Sequence, residues 1–161
     1  MELVTHEIEP VYNSSSRILI LGTFPSVKSR EAHFFYHHPQ NRFWRVLAAI
    51  MEEGVPETIE EKKAFLLRSR IAVWDVIASC RIQGSSDSSI RDVVPCDLNR
   101  IFTAAPIEGI YTNGKTAGRL YAAWCQSQTG RPAVCLPSTS PANAGYSLAR
   151  LIREWRIIEE G

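Results

Sequence analysis

Hydrophobic positions along the 161-residue chain alternate between short runs that are apolar throughout and longer runs that are apolar at every third or fourth place. Arg17 to Leu21 is of the first kind and predicts a strand buried on both faces, as strands of parallel sheets are. From Asn41, a helix-capping residue, Phe43, Val46, Leu47 and Ile50 recur at helical spacing with Trp44 and Met51 flanking them, and this helix is expected to end near Gly54. Thr58-Ile59-Glu60-Glu61 opens a second helix with a capping-box pattern, and that helix leads to a second strand over Ile71 to Val76.

The polar stretch from Cys80 to Pro95, with its Gly-Ser-Ser-Asp-Ser-Ser run, reads as a mobile surface loop. A short helix is expected over Asp97 to Ala104, a third strand over Gly109 to Thr112, a helix over Thr116 to Gln128 and a fourth strand over Ala133 to Leu136. A closing helix carries Leu148, Leu151, Ile152, Trp155 and Ile158 on one face. Strands alternating with helices predict an α/β fold, a three-layer α/β/α sandwich around a parallel sheet of about four strands. The length suits one domain spanning residues 1–161.

The formal net charge of +1 gives no global signal for nucleic acid. Between Arg17 and Arg45, however, five basic residues (Arg17, Lys28, Arg30, Arg42 and Arg45) face one acid, Glu31, so this third of the chain is locally +4 and is expected to offer a basic rim. There is no apolar run of membrane length, and the first residues lack the basic and apolar regions of a signal peptide. An intracellular, cytoplasmic protein with no membrane association is expected. Cys80, Cys96, Cys125 and Cys135 are widely spaced with no Cys-x-x-Cys pair, so neither a metal nor a cluster is expected and the thiols read as buried and free.

Three polar segments stand where a cleft would form. Gly22-Thr23-Phe24-Pro25-Ser26 follows the first strand and Pro137-Ser138-Thr139-Ser140-Pro141-Ala142-Asn143 follows the last, at the strand ends where open parallel sheets hold their ligands. Between them, Phe34 to Trp44 concentrates aromatic rings, imidazoles, an amide and a guanidinium. Rings that stack on a flat base, beside polar groups for phosphate and sugar, are what a nucleobase pocket requires. The same string also fits a helix start with core aromatics.

Gly22 to Ser26, His38-Pro39-Gln40-Asn41-Arg42-Phe43-Trp44 and Leu136 to Asn143 together resemble the uracil-DNA glycosylase superfamily. Their order and spacing are nearest its hypoxanthine-DNA (deoxyinosine) glycosylase branch, with the mismatch-specific uracil/thymine glycosylases as relatives. The resemblance implies a monofunctional DNA N-glycosylase that flips a deaminated base, hypoxanthine foremost, and hydrolyses its glycosidic bond to leave an abasic site. It implies no cofactor, DNA containing deaminated bases as partner, and a monomer. A uracil- or mismatch-type glycosylase and a non-catalytic nucleic-acid-binding module are the alternatives. A serine hydrolase is disfavoured because no Gly-x-Ser-x-Gly elbow exists.

The resemblance also implies roles for single residues. Mismatch-specific relatives carry an asparagine where this chain has Phe24, an apolar ring that cannot position water. The catalytic role passes to Asn41, whose amide can accept from water and donate to a base, or can shape the loop. Tyr36 corresponds to the ring that stacks on the flipped base, and Asn113 to a base-reading group or a tight turn. His38 would hold departing-base charge or phosphate, or else bond its own turn. Phe24, Ser138 and Ser140 are further substrate contacts, and Ser26 and Arg42 DNA contacts. Ala142 takes the wedge position, with Asn143 a partial substitute. Ser140 reads as the cap of the closing helix with Pro141 in its first turn, which would aim backbone N–H groups at a phosphate. Asp75 has the look of a general base but no matching motif role, and is read as structural.

Overall fold

The computed structural model describes residues 2–160. In chain order its strands are β1 (Glu2–Thr5), β2 (Ile18–Gly22), β3 (Ile71–Asp75), β4 (Ile77–Ile82), β5 (Arg91–Pro95), β6 (Gly109–Asn113) and β7 (Val134–Leu136). The helices are α1 (Val27–Ala32), α2 (Phe43–Ile50), α3 (Ile59–Arg68), α4 (Asn99–Phe102), α5 (Lys115–Trp124), α6 (Gln126–Thr129) and α7 (Leu148–Trp155). The central sheet is parallel throughout, in the order β3-β2-β6-β7, with Ile20 of β2 opposite Val73 and Tyr111.

Because successive side chains of a strand point to opposite faces, the apolar run of β2 feeds two cores at once. Ile20, Val73 and Tyr111 pack with Phe43 and Leu47 of α2, Phe65 of α3, and Leu151 and Trp155 of α7. Leu19, Leu21, Ala72 and Ile110 pack on the other side with Ile101 of α4 and Leu120 and Tyr121 of α5. The first layer is tied at two points: Thr58 Oγ1 accepts from the Glu61 N–H at 3.0 Å at the start of α3, and the Trp155 indole N–H donates to the Pro137 carbonyl at 2.9 Å.

Half of the predicted loop from Cys80 to Pro95 is strand. β4 pairs antiparallel with β1 on one side and β5 on the other, forming a three-stranded sheet whose Ile77, Cys80 and Ile82 enter the second core. Register shifts around Ser79 displace the ladder, so the buried positions are spaced three and then two apart and no period shows in the sequence. The Gly-Ser-rich run is the hairpin's connection, with a single 3-10 turn at Asp87–Ser89.

The closing helix begins later than predicted. Ser147 caps α7, its hydroxyl accepting from the Arg150 N–H at 3.1 Å, while Ser140-Pro141-Ala142 forms a turn. No helix N-terminus therefore points from Ser140 toward a phosphate. Near the other predicted ends the differences are one to four residues.

Candidate active site

The sheet order places β2 beside both β3 and β6, while the chain leaves β2 toward β3 and returns past it to β6. At such a switch point the loops separate and leave a crevice beyond the carboxyl ends of the strands. A cavity of about 420 Å³ occupies it, lined by the loop after β2, by Asp75 at the end of β3, by Asn113 at the end of β6 and by the loop after β7. Ser85 to Ser88 of the β4–β5 connection close one rim. They are tied to the loop after β2 by the Val27 N–H donating to Ser85 Oγ at 2.9 Å, and by Arg30, which donates to the Pro25 and Gly84 carbonyls.

Phe24, Ser26, Tyr36, Asn41, Asn113, Ser138, Ser140 and Ala142 all line this cavity, so eight of the eleven residues singled out in the sequence share one site. Tyr36 sits with its backbone in the left-handed region, φ 49°, a conformation that costs about 1–3 kcal/mol in a non-glycine residue. The Trp44 indole N–H, donating to the Tyr36 carbonyl at 3.1 Å, helps to hold it. Phe43 stacks on the Tyr36 ring at 3.9 Å between centroids and covers one of its faces. The Tyr36 hydroxyl is buried without a hydrogen-bond partner, and burial, reinforced by the Asp75 charge, raises it well above the ordinary tyrosine range.

Asn41 and Asn113 meet through Thr139. Asn113 Oδ1 accepts from the Thr139 N–H at 3.0 Å and its Nδ2 donates to Thr139 Oγ1 at 2.9 Å. Thr139 Oγ1 in turn donates to Asn41 Oδ1 at 2.8 Å, and the same Oδ1 accepts from the Phe43 N–H at 2.9 Å at the start of α2. Both lone pairs of the Asn41 oxygen are thereby filled, leaving its Nδ2 as the free group. The capping expectation for Asn41 holds in substance, and the amide faces the cavity as a donor.

Three of the predicted contacts lie outside the lining. Arg42, expected on phosphate, donates instead to the Tyr146, Ser140 and Asn143 carbonyls, the last two at 2.9 and 3.0 Å, and so braces the turns between Ser140 and Tyr146. Asn143 donates from Nδ2 to the Ser138 carbonyl at 2.9 Å, so its side chain is folded into the loop rather than extended as a wedge. His38 accepts at Nδ1 from the Gln40 N–H at 3.1 Å, the turn-bonded alternative. Asn113, with Nδ2 donating to Thr139 and Oδ1 accepting one bond from it, keeps one lone pair of that oxygen.

The basic rim also dissolves. Arg17 lies at the opposite end of β2 on the Ser15 and Ser16 carbonyls, Arg30 and Arg42 are bound to loop carbonyls, and of the five only Lys28 and Arg45 extend exposed from this face of the sequence. Ser138 and Ser140 accept from the Ser140 and Ala142 N–H groups, each at 3.1 Å, and keep their hydroxyl protons available at the rim.

Asp75, read from the sequence as structural, also lines the cavity. It is 3 % exposed and pairs with His6, whose Nε2 lies 2.7 Å from Asp75 Oδ2. A carboxylate ending an otherwise apolar strand was the signal available for Asp75, whereas His6 lies 69 positions away in a segment with no motif. Gly22 is required beside them: a Cβ there would lie 2.4 Å from Asp75 Oδ1 and 2.9 Å from the Tyr36 hydroxyl. Among the described residues no three His, Cys, Asp or Glu side chains are grouped to hold a metal, and no helix is long and apolar enough to cross a membrane.

A sequence model of the uracil DNA glycosylase superfamily matches residues 9–159. A hypoxanthine DNA glycosylase of Methanosarcina acetivorans is 33% identical over 150 residues, covering 92% of this chain and 93% of that protein. A hypoxanthine DNA glycosylase of Methanosarcina barkeri is 32% identical over 111 residues, 68% and 70% of the two chains. The solution NMR structure of a Methanosarcina acetivorans protein, provisionally assigned as a uracil DNA glycosylase, superposes with a TM-score of 0.78 at 30% identity, covering 94% of this chain and 96% of that one.

Proposed function

The chain belongs to the uracil DNA glycosylase superfamily, and on that premise we propose that it is a DNA glycosylase of deaminated bases whose first substrate is hypoxanthine. It flips the damaged nucleotide out of the duplex and hydrolyses the C1′–N bond as a monofunctional enzyme, leaving an abasic site. The observation that carries this reading is the convergence of Tyr36, Asn41 and Asp75 on one cavity of about 420 Å³, a volume that accepts a purine.

Tyr36 supplies the ring for the flipped base through the face that Phe43 leaves open, a contact worth about 1–3 kcal/mol. As the glycosidic bond breaks, its electron pair leaves with the base, positive charge grows on the sugar, and water adds its oxygen to C1′, losing one proton to solvent while the departing base takes one up. Asn41 Nδ2 acts on the departing base, donating to the negative charge that develops there; a donor aimed at developing charge is worth ~10²-fold or more in rate. Phe24, an apolar ring, offers the water no acceptor. The Ser138 and Ser140 hydroxyls hold the flanking phosphate or sugar, and Ala142, exposed at the rim, leaves the gap in the duplex largely unfilled.

The test is release of free hypoxanthine from an inosine-containing duplex in the presence of a chelator, followed by alkali cleavage at the abasic site. Release with the strand intact until alkali is added is the expected result. Duplex binding that falls with salt and is accompanied by no base release from inosine, uracil or xanthine duplexes would leave a binding module instead.

A further inference from the structure

We propose that His6 is a positioning residue of the active site, whose Nε2–H fixes the orientation of the buried Asp75 carboxylate from outside the cavity. The proposal rests on the glycosylase reading above, and it assigns the task to a residue that lies ahead of the stretch 9–159 matched by the superfamily model. Strand pairing delivers that residue. β1 runs antiparallel to β4 with Thr5 opposite Ser79, and the His6 N–H donates to the Ala78 carbonyl at 2.7 Å. Because β4 starts at Ile77, just past the end of β3, this pairing sets the His6 ring beside Asp75.

The ring is enclosed. The side chains of His6 and Asp75 are 3 % and 5 % exposed, and the rings of Phe24, Phe35 and Trp74 lie 5.9, 6.1 and 6.3 Å from the imidazole, centroid to centroid. An imidazole in such apolar company is costly unless both nitrogens are bonded. Both are. The Ile8 N–H donates to Nδ1 at 3.2 Å, which requires a lone pair there, so the ring is neutral and carries its proton on Nε2, 2.7 Å from Asp75 Oδ2. A backbone amide two residues along the chain thus selects the tautomer, and the tautomer makes Asp75 the acceptor.

The last torsion of an aspartate is broad, so a carboxylate held at neither oxygen has no fixed orientation. With Oδ2 on His6, Oδ1 is left on the cavity wall, where no described residue donates to it. Oδ1 and the Tyr36 hydroxyl both crowd Gly22, lying 2.4 and 2.9 Å from the place a Cβ would take there. His6 itself is not among the residues that line the cavity. It acts on the reaction through Asp75 and touches no substrate.

Two substitutions divide the two bonds of the ring. In His6→Asn the side-chain oxygen takes the place of Nδ1 and keeps the Ile8 contact, but no donor reaches Asp75. In His6→Gln the amide nitrogen takes the place of Nε2 and keeps the donor to Asp75, while the Ile8 contact is lost. Single-turnover release of hypoxanthine at saturating enzyme should fall by about 10- to 100-fold in His6→Asn, the worth of a hydrogen bond to a charged group. His6→Gln should stay near the wild-type rate, and binding of a lesion-free duplex should be the same in all three proteins. A role confined to holding the turn reverses the order, and that reversal, or equal rates in the two variants, overturns the proposal. Nitrogen NMR of the wild-type imidazole reads the tautomer directly: a proton on Nε2 is expected, and one on Nδ1 overturns the assignment even if neither variant folds. All of these outcomes leave the enzyme a glycosylase. Release of no base by the wild type overturns the glycosylase reading and this proposal with it.

Discussion

Thr139 Oγ1 donates to Asn41 Oδ1 at 2.8 Å, joining the loop after the last strand to the start of α2 across 98 positions of sequence. The same hydroxyl accepts from Asn113 Nδ2, so one threonine fixes which way both amides face. Thr139→Val keeps the shape and removes both bonds. Stability should fall by about 1–3 kcal/mol, since buried partners are left unsatisfied, and single-turnover base release should fall more than tenfold as Asn41 loses its fixed orientation. Urea unfolding and rapid quench measure the two effects separately.

Two substitutions at Asn41 separate capping from chemistry. Asn41→Asp retains an oxygen for the Phe43 N–H and Thr139 Oγ1–H and deletes only the free N–H₂ donor. Its unfolding midpoint should match the wild type while base release drops ~10²-fold or more. Asn41→Ala should lose activity similarly and also about 1 kcal/mol of stability from the missing cap. An active Asn41→Asp protein would show that this position works as an acceptor toward water.

Arg42→Lys should leave α2 in place and loosen the loop that carries Ser138 to Asn143. A single ammonium cannot span the three carbonyls that the guanidinium fork bridges. The expected result is faster amide hydrogen exchange across residues 138–146 and weaker duplex binding. A lost phosphate contact, by contrast, would lower the salt slope of binding and leave the exchange unchanged.

The Tyr36 hydroxyl gives a pH signature. Its ionisation is raised in the folded protein from an ordinary value of 10.0, first by burial and then by the Asp75 charge, with the Asn113 amide opposing. A raised folded value means its contribution is fully present below about pH 10 and is lost as the solution becomes more alkaline, because the unfolded chain gives up the proton first. Tyr36→Phe should be at least as stable as wild type at neutral pH, as it removes an unpartnered buried hydroxyl, and its stability should decline less steeply above pH 10. Denaturant midpoints at pH 8, 10 and 11 check this.

Gly22→Ala tests the crowding at the cavity wall. The added methyl would lie 2.4 Å from Asp75 Oδ1, so the carboxylate must turn away or β2 and β3 must part. Base release should fall more than tenfold, and the His6 ring resonance that reports its bond to Asp75 should shift.

The parallel strands β2, β3 and β7 were legible because each is a short run with nearly every position apolar, and a strand covered on both faces admits little else. That Tyr36, Asn41 and the loops after β2 and β7 share one cleft was legible too, from polar loops at strand ends and from the resemblance of their motifs to the family. The antiparallel sheet was hidden by the register shifts at Ser79 and by a partner strand, β1, more than 70 residues away. What the tertiary structure alone decided is which atom of each polar side chain remains free. A hydrogen-bonding group satisfied by one neighbour is withdrawn from other work, and those neighbours arrive from distant segments: Tyr146 for Arg42, Thr139 for Asn41, His6 for Asp75. Sequence named the candidate side chains, and packing chose the oxygen or nitrogen that faces the cavity.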